Sequence, residues 1–262
     1  MKKITHSLVL FFILLGFAGV ARSADGPAAE GQVFELRTYT ATPGKIDAVL
    51  ARFRDHTLRI FVKHGMENMG YWVPTDEKDG AGQKLVYLLA HKNRAAATAS
   101  WAAFKADPEW QAVAAASEAN GKIVAKAESV FLAATDFSPA FAVGGGKGAP
   151  RVFELRTYTA AEGKLDALDA RFRGGETALF AKSGMTGLGY FHPVDANRGA
   201  GHTLIYLLAH ASREAAAVSW QKFRDDPAWV KMKADSEQAA GGSLTSKTEA
   251  MFLVPTDFSP TK

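Results

Sequence analysis

Apolar and polar positions alternate along Val33-Phe-Glu-Leu-Arg-Thr-Tyr-Thr40, the period of a strand with unlike faces. Pro43-Gly44 ends that run. Ile46, Val49, Leu50, Phe53, Thr57, Ile60 and Phe61 then recur at helical spacing until Gly65 closes the segment. Met69 to Pro74 predicts a short strand, Asp76 to Gly82 a turn-rich loop, and Lys84 to His91 a strongly apolar strand. An alanine-rich helix follows from Arg94 to Ala106, and Asp107-Pro108 restarts it with Asp as the cap and Pro at the first helical position. Ser129 to Ala134 supplies the last strand. The order β-α-β-β-α-β is the split βαβ arrangement of ferredoxin-like folds, an α+β class.

The whole pattern is written twice. Val33 to Thr40 returns as Val152 to Thr159, and the same offset of 119 carries Gly44-Lys45 onto Gly163-Lys164, Trp101 onto Trp220 and Asp107-Pro108 onto Asp226-Pro227. Thr135-Asp-Phe-Ser-Pro139 recurs at Thr256 to Pro260, two residues further on, which places an insertion around Gly241-Gly242. A period of this length is that of a self-sufficient domain rather than a solenoid unit. The domains are read as 32–139 and 152–260, joined by a Gly-rich linker, 140–151. A ferredoxin-like module covers one face of its sheet with helices and leaves the other bare. The second copy is therefore expected to cover that face, giving a closed or nearly closed eight-stranded arrangement within one chain, with its helices outside.

Composition narrows the function classes. Met1 to Ser23 carries Lys2-Lys3, an apolar core from Leu8 to Val20 and small residues before a cleavage point, which reads as a signal peptide and predicts a secreted or periplasmic bacterial protein. Its removal takes Lys2, Lys3 and Arg22 and lowers the formal charge from +4 to +1, so the basic precursor says little about partners. No basic patch suggests nucleic acid, and no later stretch is long enough to span a membrane. The absence of cysteine excludes disulfides and thiolate chemistry. The remaining histidines form no metal-binding spacing, no Gly-x-Ser-x-Gly elbow occurs, and Gly144 to Gly148 reads as linker rather than phosphate loop. No metal or cofactor is expected.

Phe34-Glu-Leu-Arg-Thr-Tyr39, Pro43-Gly44-Lys45, Gly70-Tyr71-Trp72, Tyr87, Arg94, Trp101, Phe104 and Asp107-Pro108-Glu109-Trp110, with their counterparts in the second copy, resemble the NIPSNAP domain, a branch of the dimeric α+β barrel superfamily. The resemblance spans nearly all of the chain after residue 23. It implies scaffolding or binding roles as often as enzymatic ones. Mitochondrial members are linked to vesicle traffic and mitophagy signalling, and the wider superfamily includes cofactor-free monooxygenases, isomerases and haem enzymes.

Alternation puts Glu35, Arg37 and Tyr39 on one strand face and Phe34, Leu36 and Thr38 on the other. If the apolar row meets the helices, the Glu-Arg-Tyr row faces the second copy. In the ferredoxin-like order the first and third strands are expected to be parallel neighbours at the sheet centre, so that Tyr39 and His91 end at the same edge with Arg37 and Tyr87 a step below, and Tyr158, His210, Arg156 and Tyr206 repeat the group. Two readings follow. In one, these side chains bind a small ligand, Arg holding an anionic or enol-like oxygen and His moving a proton; in the other, Glu35 and Arg37 form a structural ion pair at the domain interface. His64 is a further candidate, present in the first copy and replaced by Ser183 in the second. The tryptophans on the alanine-rich helices, Trp101, Trp110, Trp220 and Trp229, read as core packing. The functional expectation is an exported small-molecule-binding or interaction protein built as a fused pseudo-dimer, with further self-association as an expected property. The alternative is a metal-free monooxygenase or isomerase acting on a small, partly apolar substrate in the barrel cavity.

Overall fold

The computed structural model describes residues 31–144 and 151–262; the expected signal peptide and residues 145–150 of the linker lie outside the described residues. The first module runs β1 (Val33–Ala41), α1 (Ile46–Arg52), a π-helical turn (Phe53–Thr57), α2 (Leu58–Lys63), β2 (Glu67–Pro74), β3 (Lys84–His91), α3 (Arg94–Ala106), α4 (Pro108–Ser117) and β4 (Val124–Ala134). The second repeats it as β5 (Val152–Ala160), α5 (Leu165–Arg171), a π-helical turn (Phe172–Glu176), α6 (Thr177–Lys182), β6 (Thr186–Pro193), β7 (Thr203–His210), α7 (Arg213–Asp225), α8 (Pro227–Ala239) and β8 (Thr245–Pro255). Asp107 and Asp226 cap the helices that follow them, each side chain accepting a backbone N–H two residues on. The one helix expected from Ile46 onward is interrupted by the π turn. There Thr57 donates its hydroxyl to the Arg52 carbonyl, satisfying part of the widened turn. The last strand begins five residues before Ser129, because β4 pairs with β1 from Val124 to Leu132.

The eight strands form one closed barrel in the order β1-β3-β2-β8-β5-β7-β6-β4. Two short seams join the modules, Trp72–Pro74 against Leu253–Pro255 and Leu132–Ala134 against Phe191–Pro193. The interior is shared: Phe34, Leu36, Val86 and Leu88 interlock with Phe153, Leu155, Ile205 and Leu207. Gly70 admits this packing, since a Cβ there would stand 2.2 Å from the Trp72 ring. Within each module the helices cover the opposite face of the sheet through Phe53, Phe61 and Phe104, and through Phe172, Phe180 and Phe223.

Two expectations are overturned. Strands β1 and β3 are antiparallel, Val33 facing His91 and Tyr39 facing Leu85, because the β2–β3 connection reverses the chain. Tyr39 and His91 therefore sit at opposite ends of the pair, as do Tyr158 and His210. The faces are also exchanged: Phe34 and Leu36 look into the barrel, whereas Tyr39, Tyr71 and Tyr87 pack under the helices.

The repeated Thr-Asp-Phe-Ser-Pro motif is the clasp between the modules. After β8, Thr256 N–H bonds to the Tyr71 carbonyl, Ser259 Oγ accepts the Tyr71 N–H at 2.9 Å, Phe258 packs on the Tyr71 ring and Asp257 pairs with Arg54. Thr135, Ser138, Phe137 and Asp136 do the same to Tyr190, Phe172 and Arg173 of the second module. Each module thus ends by gripping the other.

The copies differ where substitutions come in answering sets. Asp169 replaces Leu50 and is met at 2.9 Å by His192, which replaces Val73. Glu176 replaces Thr57, is 1% exposed, and accepts from Arg171 Nε at 2.9 Å. Burial pushes the Glu176 carboxyl up to about 7 despite that partner.

Phe258→Ala is expected to lower stability by about 2–4 kcal/mol, as a partly buried aromatic lost from a seam, whereas Asp257→Asn leaves the urea midpoint within scatter because its ion pair is exposed. Equal effects in urea titrations would contradict this account of the clasp. For Glu176 the folded-state pKa lies above the unfolded one, so its burial costs stability as pH rises from about 4.5 to about 7. Glu176→Gln should therefore gain roughly 1–3 kcal/mol on wild type between pH 5 and pH 8, read from denaturation midpoints at both values.

Candidate functional site

Glu35 is the hub of the polar group beneath the helices. Its carboxylate accepts from Trp101 Nε1 on α3 at 2.6 Å, from His91 Nε2 on β3 at 3.1 Å and from Arg37 Nη1 two residues along its own strand. Because β-strand side chains alternate, Glu35 and Arg37 share a face, and the antiparallel register sets Tyr87 directly opposite Arg37. Arg37 Nε donates to the Tyr87 hydroxyl at 2.9 Å and Nη2 to the Tyr39 hydroxyl at 3.5 Å, while its guanidinium lies 4.3 Å from the centre of the Trp101 ring. The second module builds the same network from Glu154, Arg156, Tyr158, Tyr206, His210 and Trp220.

Burial raises the Glu35 carboxyl, but the hydrogen bond from His91, the charge of Arg37 and the Trp101 indole together outweigh it and hold the pKa below the usual range. Glu154 is held down in the same way. An ionised carboxylate only accepts, so His91 Nε2 carries the shared proton and the imidazole is oriented by Glu35. Its Nδ1 is buried and meets no hydrogen-bonding partner among the described residues, and the His210 Nδ1 is alike. Burial drives the Tyr87 and Tyr206 hydroxyls well above their ordinary value, so they serve as neutral hydrogen-bonding groups.

Of the residues singled out from sequence, Arg37, Tyr87 and His91 come together around Glu35, with Tyr39 at the far end of the row; Arg156, Tyr206, His210 and Tyr158 do likewise around Glu154. His64 stands apart. Its Nε2 lies 2.7 Å from the Asp107 carboxylate, which also pairs with Lys63, and the two hold Asp107 far below its ordinary pKa. That arrangement fastens the end of α2 to the cap of α4. Two of the four tryptophans expected to be packing alone, Trp101 and Trp220, supply one donor to each hub, a role whose only trace in sequence is the recurrence of Glu and Trp 66 residues apart in both copies.

The barrel itself has no room for a ligand: the space among Leu36, Trp72, Leu88, Leu155 and Leu207 amounts to about 20 Å³. Space opens instead on the helix side. In the second module a crevice of about 410 Å³ runs between α7 and the sheet, lined by Glu154, Arg156, Arg213, Trp220, Arg224 and Phe252. The Arg156 side chain is 15% exposed there, whereas His210 is sealed at 0%. Arg213 lies flat on Phe252, 3.6 Å from the ring centre, and is tied to Asp76 of the first module. Among the described residues no three His, Asp or Glu side chains gather as metal ligands would. No helix among them is long and apolar enough to cross a membrane.

The fold recurs among solved structures. A candidate monooxygenase from Lactobacillus acidophilus NCFM aligns over 87% of this chain and 98% of its own, with a TM-score of 0.54 and 11% identity. A mutant chlorite dismutase from Candidatus Nitrospira defluvii, solved with cyanide, covers 87% of this chain and 92% of its own at a TM-score of 0.51 and 8% identity. At such identity the likeness concerns the fold. An uncharacterised NIPSNAP domain protein from Burkholderia xenovorans is 27% identical over 41% of this chain and 98% of its own, with a TM-score of 0.36. A search of curated proteins found none that matches. The NIPSNAP family model matches residues 34–139 and again 153–260. With both halves of its barrel matched in this way, the chain belongs to the NIPSNAP family, as a tandem member carrying two family domains.

Proposed function

We propose that this protein is an exported binding protein, a fused pseudo-dimer that holds a compact anionic molecule in the crevice above Arg156. The observation that carries the reading is the crevice itself. Its volume of about 410 Å³ falls within the ~300–1,000 Å³ usual for small-molecule sites, and three arginines line it against one glutamate. Arg156 is fixed by Glu154, Tyr206 and Tyr158, each taking one donor, so the guanidinium is pre-oriented while keeping donors to spare. The Trp220 ring, against which it lies, completes a rigid floor. Export is supported by the composition of residues 1–23.

The reading as a monooxygenase or isomerase draws on the fold that this chain shares with a candidate monooxygenase. It has less in its favour, since catalysis needs a proton-moving group in reach of the substrate and His210 is both sealed and bound to Glu154. The barrel cavity in which that chemistry was expected is filled.

Native mass spectrometry of the protein purified from its source tests the proposal. The polypeptide is expected to lack residues 1–23 and to carry an extra mass that is lost on unfolding. Arg156→Met should abolish retention, but by stranding Glu154 it is also expected to cost about 3–5 kcal/mol. Arg224→Gln, on the exposed rim, should reduce retention at least severalfold with an unchanged melting temperature. A wild-type chain of bare polypeptide mass, or full retention by Arg224→Gln, would sink the proposal.

A further inference from the structure

The second module carries another opening, remote in character from the arginine crevice: a groove of about 690 Å³ between α5 with its π turn and α8, walled by Ala167, Ala170, Gly174, Met232 and Ala240. Its floor is Arg171, a residue 8% exposed that stacks against Trp229. Glu176 holds Arg171 from behind through Nε. Among the described residues Nη1 and Nη2 meet no protein acceptor. The first module shows what an unequipped version looks like. There Arg52 spends Nη1 on Ser117 and Glu118, and Asp55 and His56 stand where the second module has Gly174 and Gly175. Gly175 adopts φ 141° within the turn and leaves room for the Met232 methyl, which a Cβ would approach to 2.9 Å.

We propose that this groove binds an amphipathic carboxylic acid, its carboxylate on Nη1 and Nη2 of Arg171 and its acyl chain along the alanine and methionine wall. A planar guanidinium anchored at Nε presents its two terminal nitrogens as a fork that matches a carboxylate. The walls offer methyl groups and an adaptable thioether, with the only rim charges, Lys231 and Asp235, already paired to each other at 2.7 Å. Gly174 in place of Asp55 removes from the groove a carboxylate that lines its first-module counterpart, while Asp235 is neutralised by Lys231 and Glu176 lies behind the guanidinium at Nε. The site is separate from the crevice above Arg156 and does not depend on it.

The test is calorimetric titration of the full chain with decanoate, decanol and inorganic phosphate. One decanoate per chain is expected, with decanol and phosphate each binding at least tenfold more weakly. Arg171→Gln should weaken decanoate at least tenfold, but it also strands Glu176 and is open to misfolding. Gly174→Asp avoids that difficulty, because a Cβ at this position meets nothing within 4 Å and its φ is not positive; it restores the charge of the first module and should also weaken decanoate at least tenfold. No decanoate binding to wild type, equal binding of decanol or phosphate, two equivalents per chain, or undiminished binding by Gly174→Asp would each overturn the inference.

Discussion

A four-stranded sheet with helices on one side must bury its other side, and that constraint organises this molecule. Phe34, Leu36, Val86 and Leu88 would face water in an isolated module; in the chain they meet Phe153, Leu155, Ile205 and Leu207. The union is nearly void-free, with polar contacts between modules confined to the three-residue seams, the reciprocal tails and the peripheral pairs Arg213–Asp76 and Arg94–Asp195. Association therefore rests on apolar interlock, and the polar groups are left to orient it. Fusion into one polypeptide keeps the partner at high effective concentration, so the closed form is favoured without a second molecule.

Filling the barrel moves everything chemically distinctive to the helix side. A charged group there is flanked by the helices of its own module, which is why Glu35 finds the Trp101 indole and why the Arg37 guanidinium rests on that ring. Such a network is expensive to leave incomplete, since a buried carboxylate without its donors carries a desolvation cost of several kcal/mol. The same set of donors surrounds the carboxylate in both modules.

The duplication, the strand and helix order and the closed barrel were legible because periodicity, capping residues and repeat spacing are local or self-similar signals. Lys84–His91 came out to the residue, as did Arg94–Ala106. The face of β1 was not legible. Both sides of a barrel strand are covered, so apolar character does not say which side meets helices; the narrow interior takes interlocking side chains from eight strands, while the aromatic layer of Phe53, Phe61 and Phe104 accepts the bulky tyrosines. The pairing of Tyr39 with His91 failed for a different reason, a direction error that the short β2–β3 connection corrects. The floor of the groove at Arg171 was hidden for another reason: the exchange of Asp55 for Gly174 is readable from the repeat, but the contacts of Arg171 with Glu176 and Trp229 exist only in the folded module.

That last contrast follows from joining the halves covalently. In an assembly of identical subunits, every substitution is entered on both sides of the symmetry axis, so a change useful in one cleft is imposed on its twin. Here Gly174, Gly175 and Glu176 stand on one side and Asp55, His56 and Thr57 on the other. The fused architecture releases its two halves from evolving in lockstep, and one can specialise while its sibling keeps the common framework sound.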